Sequence, residues 1–338
     1  MSRSRRSTNQ KTPLGARLTG SSPLQFPMLR VRVWLAFAAL CVIWGSSYLF
    51  IRLGVRDLTP PALIALRLLV GAAVISTIAT VRRHDLRLKR RDFLVLLVVA
   101  TTNTAAPFLL IAWGEVTVPS GLAAVLNSTV PIFSIILAGA VLQDEPMTLP
   151  RLGGVALGFT GVVLLLGKSL GQGTIHWSAL AGQGAIVLSS ICYAVGAVLV
   201  RKTLRDVPPL TLATYTLLIA ASEIVILSLV FSRPAWGAMS HTTWFAVAWL
   251  GILGSGVAYL LAFYILSNWG AARYTLLAYM MPVVGLTLGA VFLHEVLDWH
   301  IIAGSILVVS GVILASLAKR TRPLIGEERQ AQATTAAE

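Results

Sequence analysis

Two ionisable side chains lie inside apolar runs, where charge is expensive, and a third stands in a short outer loop between two such runs. Arg67 sits in the run Ile64-Ala65-Leu66-Arg67-Leu68-Leu69, Glu223 stands between Leu217-Leu218-Ile219-Ala220-Ala221-Ser222 and Ile224-Val225-Ile226, and Glu115 follows Trp113 and precedes Pro119-Ser120. A guanidinium inside a membrane helix costs about 3 kcal/mol on insertion scales, and it persists where it is paired or faces water. Arg67 is therefore a candidate contact for an anion or a carboxylate. The alternative is a scaffold role, in which Arg67 snorkels to a nearby helix end or bonds backbone carbonyls of neighbouring helices. Apolar surroundings favour the neutral form of a carboxyl, so Glu223 is a candidate to bind and release a proton; equally, it could stay neutral and hydrogen-bonded to a neighbouring helix, or lie near the interface. Glu115 reads either as a rim group facing the mouth of a cavity or as a solvated acid beside an interfacial tryptophan.

Polar groups that could shape a binding site punctuate otherwise apolar runs: Trp44, Asn103, Asn127, Tyr193, Tyr215, Tyr259, Tyr264 and Asn268. Amphipathic aromatics and amides suit a ligand with both apolar and hydrogen-bonding parts. The same residue types also populate interfacial belts and join helices. Other chemistries find no support. Gly167-Lys168-Ser169 lacks the upstream glycine of a phosphate loop, with Val at 162, and follows an apolar run. His294 and His300 flank Glu295 without the zinc-protease order, and neither Cys41 nor Cys192 belongs to a metal or redox spacing. We expect no metal, no cofactor and no catalytic residue, and a packing role for both cysteines.

The elements that hold these residues follow from composition. Of 338 residues 56% are hydrophobic and 12% charged, with mean hydropathy +0.80; no soluble domain of this length buries that much around one core. Ten runs are long enough to cross about 30 Å of hydrocarbon: 33–51, 62–81, 93–112, 118–141, 150–167, 178–200, 210–231, 244–266, 272–292 and 299–318. They lack the alternation of barrel strands, so the expected fold class is an all-α integral membrane protein. The net charge of +14 is not a nucleic-acid signal. With the N-terminus cytoplasmic, all but five of the 27 Lys and Arg fall in cytoplasmic segments, the exceptions being Arg52, Arg56, Lys168 and Arg233 in outer loops and Arg67 within a helix. That bias predicts both termini in the cytoplasm.

The chain also repeats. Arg52, Asp57 and Pro60 recur as Arg201, Asp206 and Pro209 at an offset of 149, and Pro131, Glu145, Gly154 and Gly161 recur as Pro282, Glu295, Gly304 and Gly311 at offsets of 150 or 151. Five crossings per copy would force the second copy to enter from the opposite face, the inverted-repeat pattern of secondary transporters. The expected organisation is a basic, disordered cytoplasmic tail over 1–32, a first five-helix repeat over 33–167, a linker over 168–177, a second repeat over 178–318 and a tail over 319–338. The composition of the first tail overlaps with that of organellar transit peptides.

Local motifs add detail. Gly153-Gly154, Gly158 and Gly161 predict close approach on one face of the fifth helix, as Gly304 and Gly311 do on the tenth. Those glycine faces would serve internal packing or a homodimer equally well. Pro107, Pro131 and Pro282 predict kinks in the third, fourth and ninth helices. Glu145 and Glu295 are expected to cap or tether the helices that follow them.

Trp44-Gly45-Ser46-Ser47-Tyr48, then Pro60-Pro61 with Arg67 beyond, resemble the EamA-type drug/metabolite transporters. So do Pro131 followed by Leu142-Gln143-Asp144-Glu145, and Pro282 followed by Phe292-Leu293-His294-Glu295. The resemblance spans about residues 33–318. It implies a five-plus-five inverted repeat around a central cavity and ATP-independent movement of a small amphiphilic metabolite such as an amino acid, with export ahead of uptake. The expected placement is the cell's inner membrane, and the expected partners are a small-molecule substrate and lipid, with no nucleic acid and a homodimer left open. The repeat register places Thr216 opposite Arg67 and Tyr193 opposite Trp44, so whatever Arg67 does is done once. A channel is the rival class, but the single, asymmetric charges do not form the rings or filter loops of one.

Overall fold

A computed structural model describes residues 25–142, 147–171, 176–231 and 239–317. The tails over 1–24 and 318–338 lie outside the described residues, as do Glu145 and positions 172–175 of the link over 168–177. Nine helices among the described residues are long and apolar enough to cross a membrane: α1 (Val31–Gly54), α2 (Pro60–Val81), α3 (Arg90–Gly114), α4 (Ser120–Val141), α5 (Leu149–Gly167), α6 (Trp177–Thr203), α7 (Pro209–Phe231), α8 (His241–Trp269) and α10 (Trp299–Leu317). Between the last two lies a shorter apolar helix, α9 (Leu277–Leu293). The chain is a multi-pass membrane protein.

Packing partners exchange between the two halves. The contact of α1 with α8 is matched by that of α6 with α3, α1 with α9 by α6 with α4, and α2 with α8 by α7 with α3. Three further pairs, α2 with α7, α4 with α9 and α5 with α10, map onto themselves. A set of contacts that survives exchanging helix n with helix n+5 is the mark of a pseudo-twofold axis between the halves.

The α5–α10 pair is built on glycine, as its spacing predicts. A methyl group added at Gly154 would lie 2.4 Å from the Ala315 amide nitrogen, one at Gly161 2.8 Å from the Gly304 carbonyl oxygen, and one at Gly311 2.4 Å from the Gly158 nitrogen. Without a hydrophobic drive between helices in lipid, such backbone contact supplies the dispersion energy that holds them. Gly153 points elsewhere, with only Leu314 at 4.0 Å.

Interruptions fall partly where proline predicts them. Pro107 follows a π-helical segment, Thr101–Ala105, and Pro131 follows a turn at Ser128-Thr129 that divides α4. Pro282 lies inside an unbroken α9; the break comes earlier, between the short helix Ala271–Tyr274 and Leu277. Helix α8 carries a π-helical segment, Trp249–Val257, without any proline. It sits at the position that the repeat register pairs with Thr101–Ala105. Its sequence, Trp-Leu-Gly-Ile-Leu-Gly-Ser-Gly-Val, holds three glycines that weaken the regular helix.

Candidate functional site

Arg67 is the centre of the buried polar groups. It stands two turns into α2, is 4% exposed, and donates from Nε to Ser255 Oγ in the π-helical part of α8 at 3.1 Å. Its guanidinium carbon lies 3.9 Å from the centre of the Phe108 ring, a cation–π contact worth about 1–2 kcal/mol once desolvated. No carboxylate among the described residues forms an ion pair with it, and neither Nη atom has a hydrogen-bond acceptor among them. Arg67 therefore does not snorkel to a helix end. It is held by one neutral hydroxyl and one aromatic face, with two nitrogens to spare.

Around it the structure gathers residues from both halves. Tyr48, Tyr193, Tyr259 and Glu115 lie within electrostatic reach of the guanidinium. A methyl group added at Gly254 would come within 3.7 Å of Arg67 Nη2, and the Gly254 carbonyl accepts the indole N–H of Trp44 at 3.2 Å. Trp249 donates to Ser46 Oγ at 3.0 Å. The predicted Tyr193 and Tyr259 thus lie within electrostatic reach of Arg67, and Trp44 bonds the Gly254 carbonyl beside it; Trp44 and Tyr193 come from register-equivalent positions of the two halves.

Asn127 belongs to the shell behind this centre. At the break in α4 it donates from Nδ2 to the Tyr48 hydroxyl at 2.7 Å and accepts from Ser189 Oγ at 3.2 Å and Ser190 Oγ at 3.4 Å. Its hydrogen bonds join α1, α4 and α6 and fix the tyrosine. Asn103 also serves packing: its Cβ would lie 2.6 Å from a methyl group on Gly196, so it fills the α3–α6 seam. Tyr215 stands apart, edge-on to Phe93 at 6.2 Å in a small apolar cluster with Leu96, Val99 and Leu204. Tyr264 packs in another satellite cluster beside Trp44 and Leu253; its carbonyl accepts from Asn268 Nδ2 at 2.8 Å.

Of the two acids, Glu223 is hydrogen-bonded to a neighbouring helix, one of the places the sequence suggests, and Glu115 takes a different place. Glu223 faces the α3–α7 seam, where Oε1 accepts from Thr101 Oγ1 at 2.8 Å and Oε2 is buried without a partner among the described residues. Glu115 is neither a solvated acid nor an open rim group. It is wholly buried, and neither carboxylate oxygen has a hydrogen-bond partner among the described residues.

Glu295 does cap a helix, but one in the other half. It accepts from Ser120 N at 2.7 Å, Ser120 Oγ at 2.9 Å and Gly121 N at 2.9 Å, at the start of α4 and not of α10. His294 enables this by taking a left-handed conformation, φ 53°, at the end of α9. Gly289 leaves room for the carboxylate, which would stand 2.5 Å from a methyl group there. Asp57 plays the matching part at the start of α8, accepting from Ser240 N at 2.9 Å, Ser240 Oγ at 2.6 Å and Thr243 Oγ1 at 2.6 Å. Those donors hold the Asp57 carboxyl down at about 2.

Sequence reasoning missed Tyr48, Phe108, Gly254 and Ser255 as members of the centre. A signal for the last two exists in Gly254-Ser255-Gly256, a run of small residues inside an apolar helix where another helix's side chain must come close. A separate cavity of about 150 Å³ between α4 and α6, lined by Ser134, Ile135, Ala138, Leu142, Ala197, Val198 and Arg201, takes in none of the predicted site residues.

Comparison with known proteins agrees with this architecture. The profile of the EamA-like transporter family matches residues 32–167 and again 180–317. The chain is 30% identical over 308 residues to the "Probable terminal-alkyne amino-acid exporter" of Streptantibioticus cattleyicolor, covering 88% of this chain and 96% of that protein. It is 22% identical over 284 residues to the "Uncharacterized transporter YoaV" of Bacillus subtilis, covering 84% and 96%. It is 28% identical over 301 residues to the "Uncharacterized inner membrane transporter YedA" of Escherichia coli K12, covering 85% and 92%. A crystal structure 20% identical in sequence shares the fold with a TM-score of 0.62, covering 87% of this chain and all of its own. With two family matches laid over the two halves that pack as a pseudo-twofold pair, the chain belongs to the EamA-like transporter family.

Proposed function

We propose that this protein is a secondary-active carrier that moves a small amphiphilic carboxylate, an amino acid or a close relative, out of the cell by alternating access through a cavity between the two repeats. The observation that carries the reading is Arg67: a buried guanidinium with no carboxylate partner and no acceptor on either Nη among the described residues, with Tyr48, Tyr193 and Tyr259 within electrostatic reach and Trp44 bonded to the adjacent Gly254 carbonyl. A substrate carboxylate would supply the missing bidentate acceptor, and the aromatic groups would receive its apolar part. The outward direction takes its support from the relative named as an amino-acid exporter.

The frame we propose is ten spans in two inverted five-helix repeats, 33–167 and 178–318 joined by 168–177, with both termini cytoplasmic, in the inner membrane. Helix α9 has 17 residues, roughly 26 Å at 1.5 Å per residue, and the preceding Ala271–Tyr274 segment extends its reach. The exchange of contacts between halves supports the inversion, because an odd number of spans per repeat places the twofold axis in the membrane plane.

The test is a thermal-shift screen of the purified full-length protein against amino acids, other carboxylates, nucleobases and amphiphilic amines. A ligand at one hundred times its dissociation constant stabilises by about 2.7 kcal/mol. We expect a saturable shift for carboxylates that Arg67→Gln abolishes. A shift for amines or nucleobases alone would overturn the substrate class.

A further inference from the structure

Glu115 is a buried acid for which the carrier reading has not yet found a use. It sits one residue past the end of α3, at the end of the bundle that also holds Arg52, Asp57 and Glu295. Its carboxyl has no exposed surface and neither oxygen has a hydrogen-bond partner among the described residues. Arg52, the nearest candidate counter-ion, directs Nη1 to the backbone carbonyls of Glu115 and Val116 and forms no ion pair with the carboxylate. The charged and titratable groups that face Glu115 are Arg52 and Tyr48 on α1, Arg67 on α2, and Glu295 in the link between α9 and α10. Glu295 already caps α4. On the α6 side the fit is tight and uncharged: a methyl group added at Gly114 would lie 2.7 Å from both the Gly182 carbonyl oxygen and the Ile186 side chain.

An ionised carboxylate sealed in this way, with no donor and no ion pair, is among the least favourable arrangements a protein can hold. The neutral acid fits the site. We propose that Glu115 is a proton-binding site, occupied when this end of the bundle is closed and vacated when it opens to water, so that each closing of this end takes up one proton. Burial pushes the carboxyl well above the usual carboxylate range; Arg52 and Arg67 oppose the shift and Glu295 adds to it. The sign follows from linkage: the closed form binds the proton more tightly, so low pH favours closure. Between the carboxyl's open-state and closed-state pKa values, the closed-to-open ratio falls by up to tenfold per pH unit. The inference rests on the carrier reading only in requiring that this end opens and closes; it is independent of what is carried.

Two measurements on the full-length protein in lipid vesicles test it. The first follows the infrared band of a protonated carboxyl between pH 5 and 9 in the wild type, in Glu115→Gln and in Glu223→Gln. The second places a cysteine at Val118, buried at the same end, in a background with Cys41 and Cys192 replaced by alanine. It measures maleimide labelling against pH, with the Glu115→Gln version supplying the thiol's own titration. We expect a band component that Glu115→Gln removes and Glu223→Gln retains, together with labelling that rises with pH several-fold beyond the Glu115→Gln reference. An unchanged band in Glu115→Gln, or labelling with the same pH profile in both backgrounds, would overturn the proposal. So would a failure to fold of Glu115→Gln alone while Glu115→Asp folds, because glutamine is the isostere of the neutral acid. If both signals behave as expected while no carboxylate binds or moves, the proton site stands and the proposed substrate falls.

Discussion

Carboxylates do two opposed jobs in this molecule, and hydrogen-bond donors decide which. Glu295 and Asp57 each receive three donors at a helix start, where orphan amides and the helix dipole favour negative charge. Glu115 receives none from the described residues. Replacing Glu295 by alanine leaves the Ser120 and Gly121 amides unpaired and should cost about 1–3 kcal/mol, read as a lower unfolding midpoint of the purified protein, whereas Gly153→Ala should leave that midpoint in place. The Asp57 cap carries a pH signature of opposite sign to that of Glu115. Its carboxyl ionises at about 2 against an ordinary 3.8, so the cap is complete above the ordinary value and is lost as pH falls through about 2. Amide exchange at the start of His241–Ala248 should therefore accelerate below pH 4, and the same amides in Asp57→Asn should show a much weaker acid dependence. The sequence marks Asp57 and Glu295 through the repeat, yet it places neither against its true partner. Each reaches a helix some 175 or more residues away, a distance that no local pattern encodes.

The helices themselves are legible because lipid leaves them little choice. Nine of the ten runs that hydropathy marks become membrane-length helices with ends within a few residues of those expected, while the run over 272–292 is broken between Ala271–Tyr274 and Leu277–Leu293. The glycine seam is legible for the same reason, since close approach leaves a residue-type signature. A side chain at Gly154 would strike the Ala315 and Gly311 backbones. Gly154→Leu should therefore separate α5 from α10 and lower stability by at least about 1–3 kcal/mol, while Gly153→Leu, facing open space, should be neutral. The irregular segments are less legible. Proline announces the break before Pro131 and the π segment before Pro107, but Pro282 lies in an unbroken helix and the π segment of α8 has no proline at all. Pairing Thr101–Ala105 with Trp249–Val257 by the 150-residue register would have revealed the second from the first. Both segments line the centre: Thr104 lies beside Tyr259, and Ser255 bonds Arg67. Irregular backbone at membrane depth survives where protein surrounds it.

At the scale of the whole molecule, the two halves give a nearly symmetric frame and Arg67 makes it asymmetric. The contacts of α1 with α8 and α9 reappear as those of α6 with α3 and α4, and Trp44 and Tyr193 occupy matching places, yet the register partner of Arg67 is Thr216. That single guanidinium was visible in the sequence because charge within an apolar run must be explained. Its neighbours Phe108, Ser255 and Tyr48 were not, because they come from three other helices. Tyr215 was misjudged on the same ground: residue type alone does not say which side of a helix faces the centre. Asn127→Ala should separate positioning from binding, raising the substrate concentration needed for half-maximal flux by freeing Tyr48 while leaving the substrate's selectivity unchanged. The central claim is that Arg67 receives a substrate carboxylate in a saturable carrier. Counterflow of labelled carboxylates into vesicles holding the full-length protein tests it most directly. The account predicts saturable, exchange-driven accumulation that Arg67→Gln reduces at least tenfold and Tyr215→Phe leaves intact. Flux that does not saturate, or that proceeds equally well with Arg67→Gln, would contradict it.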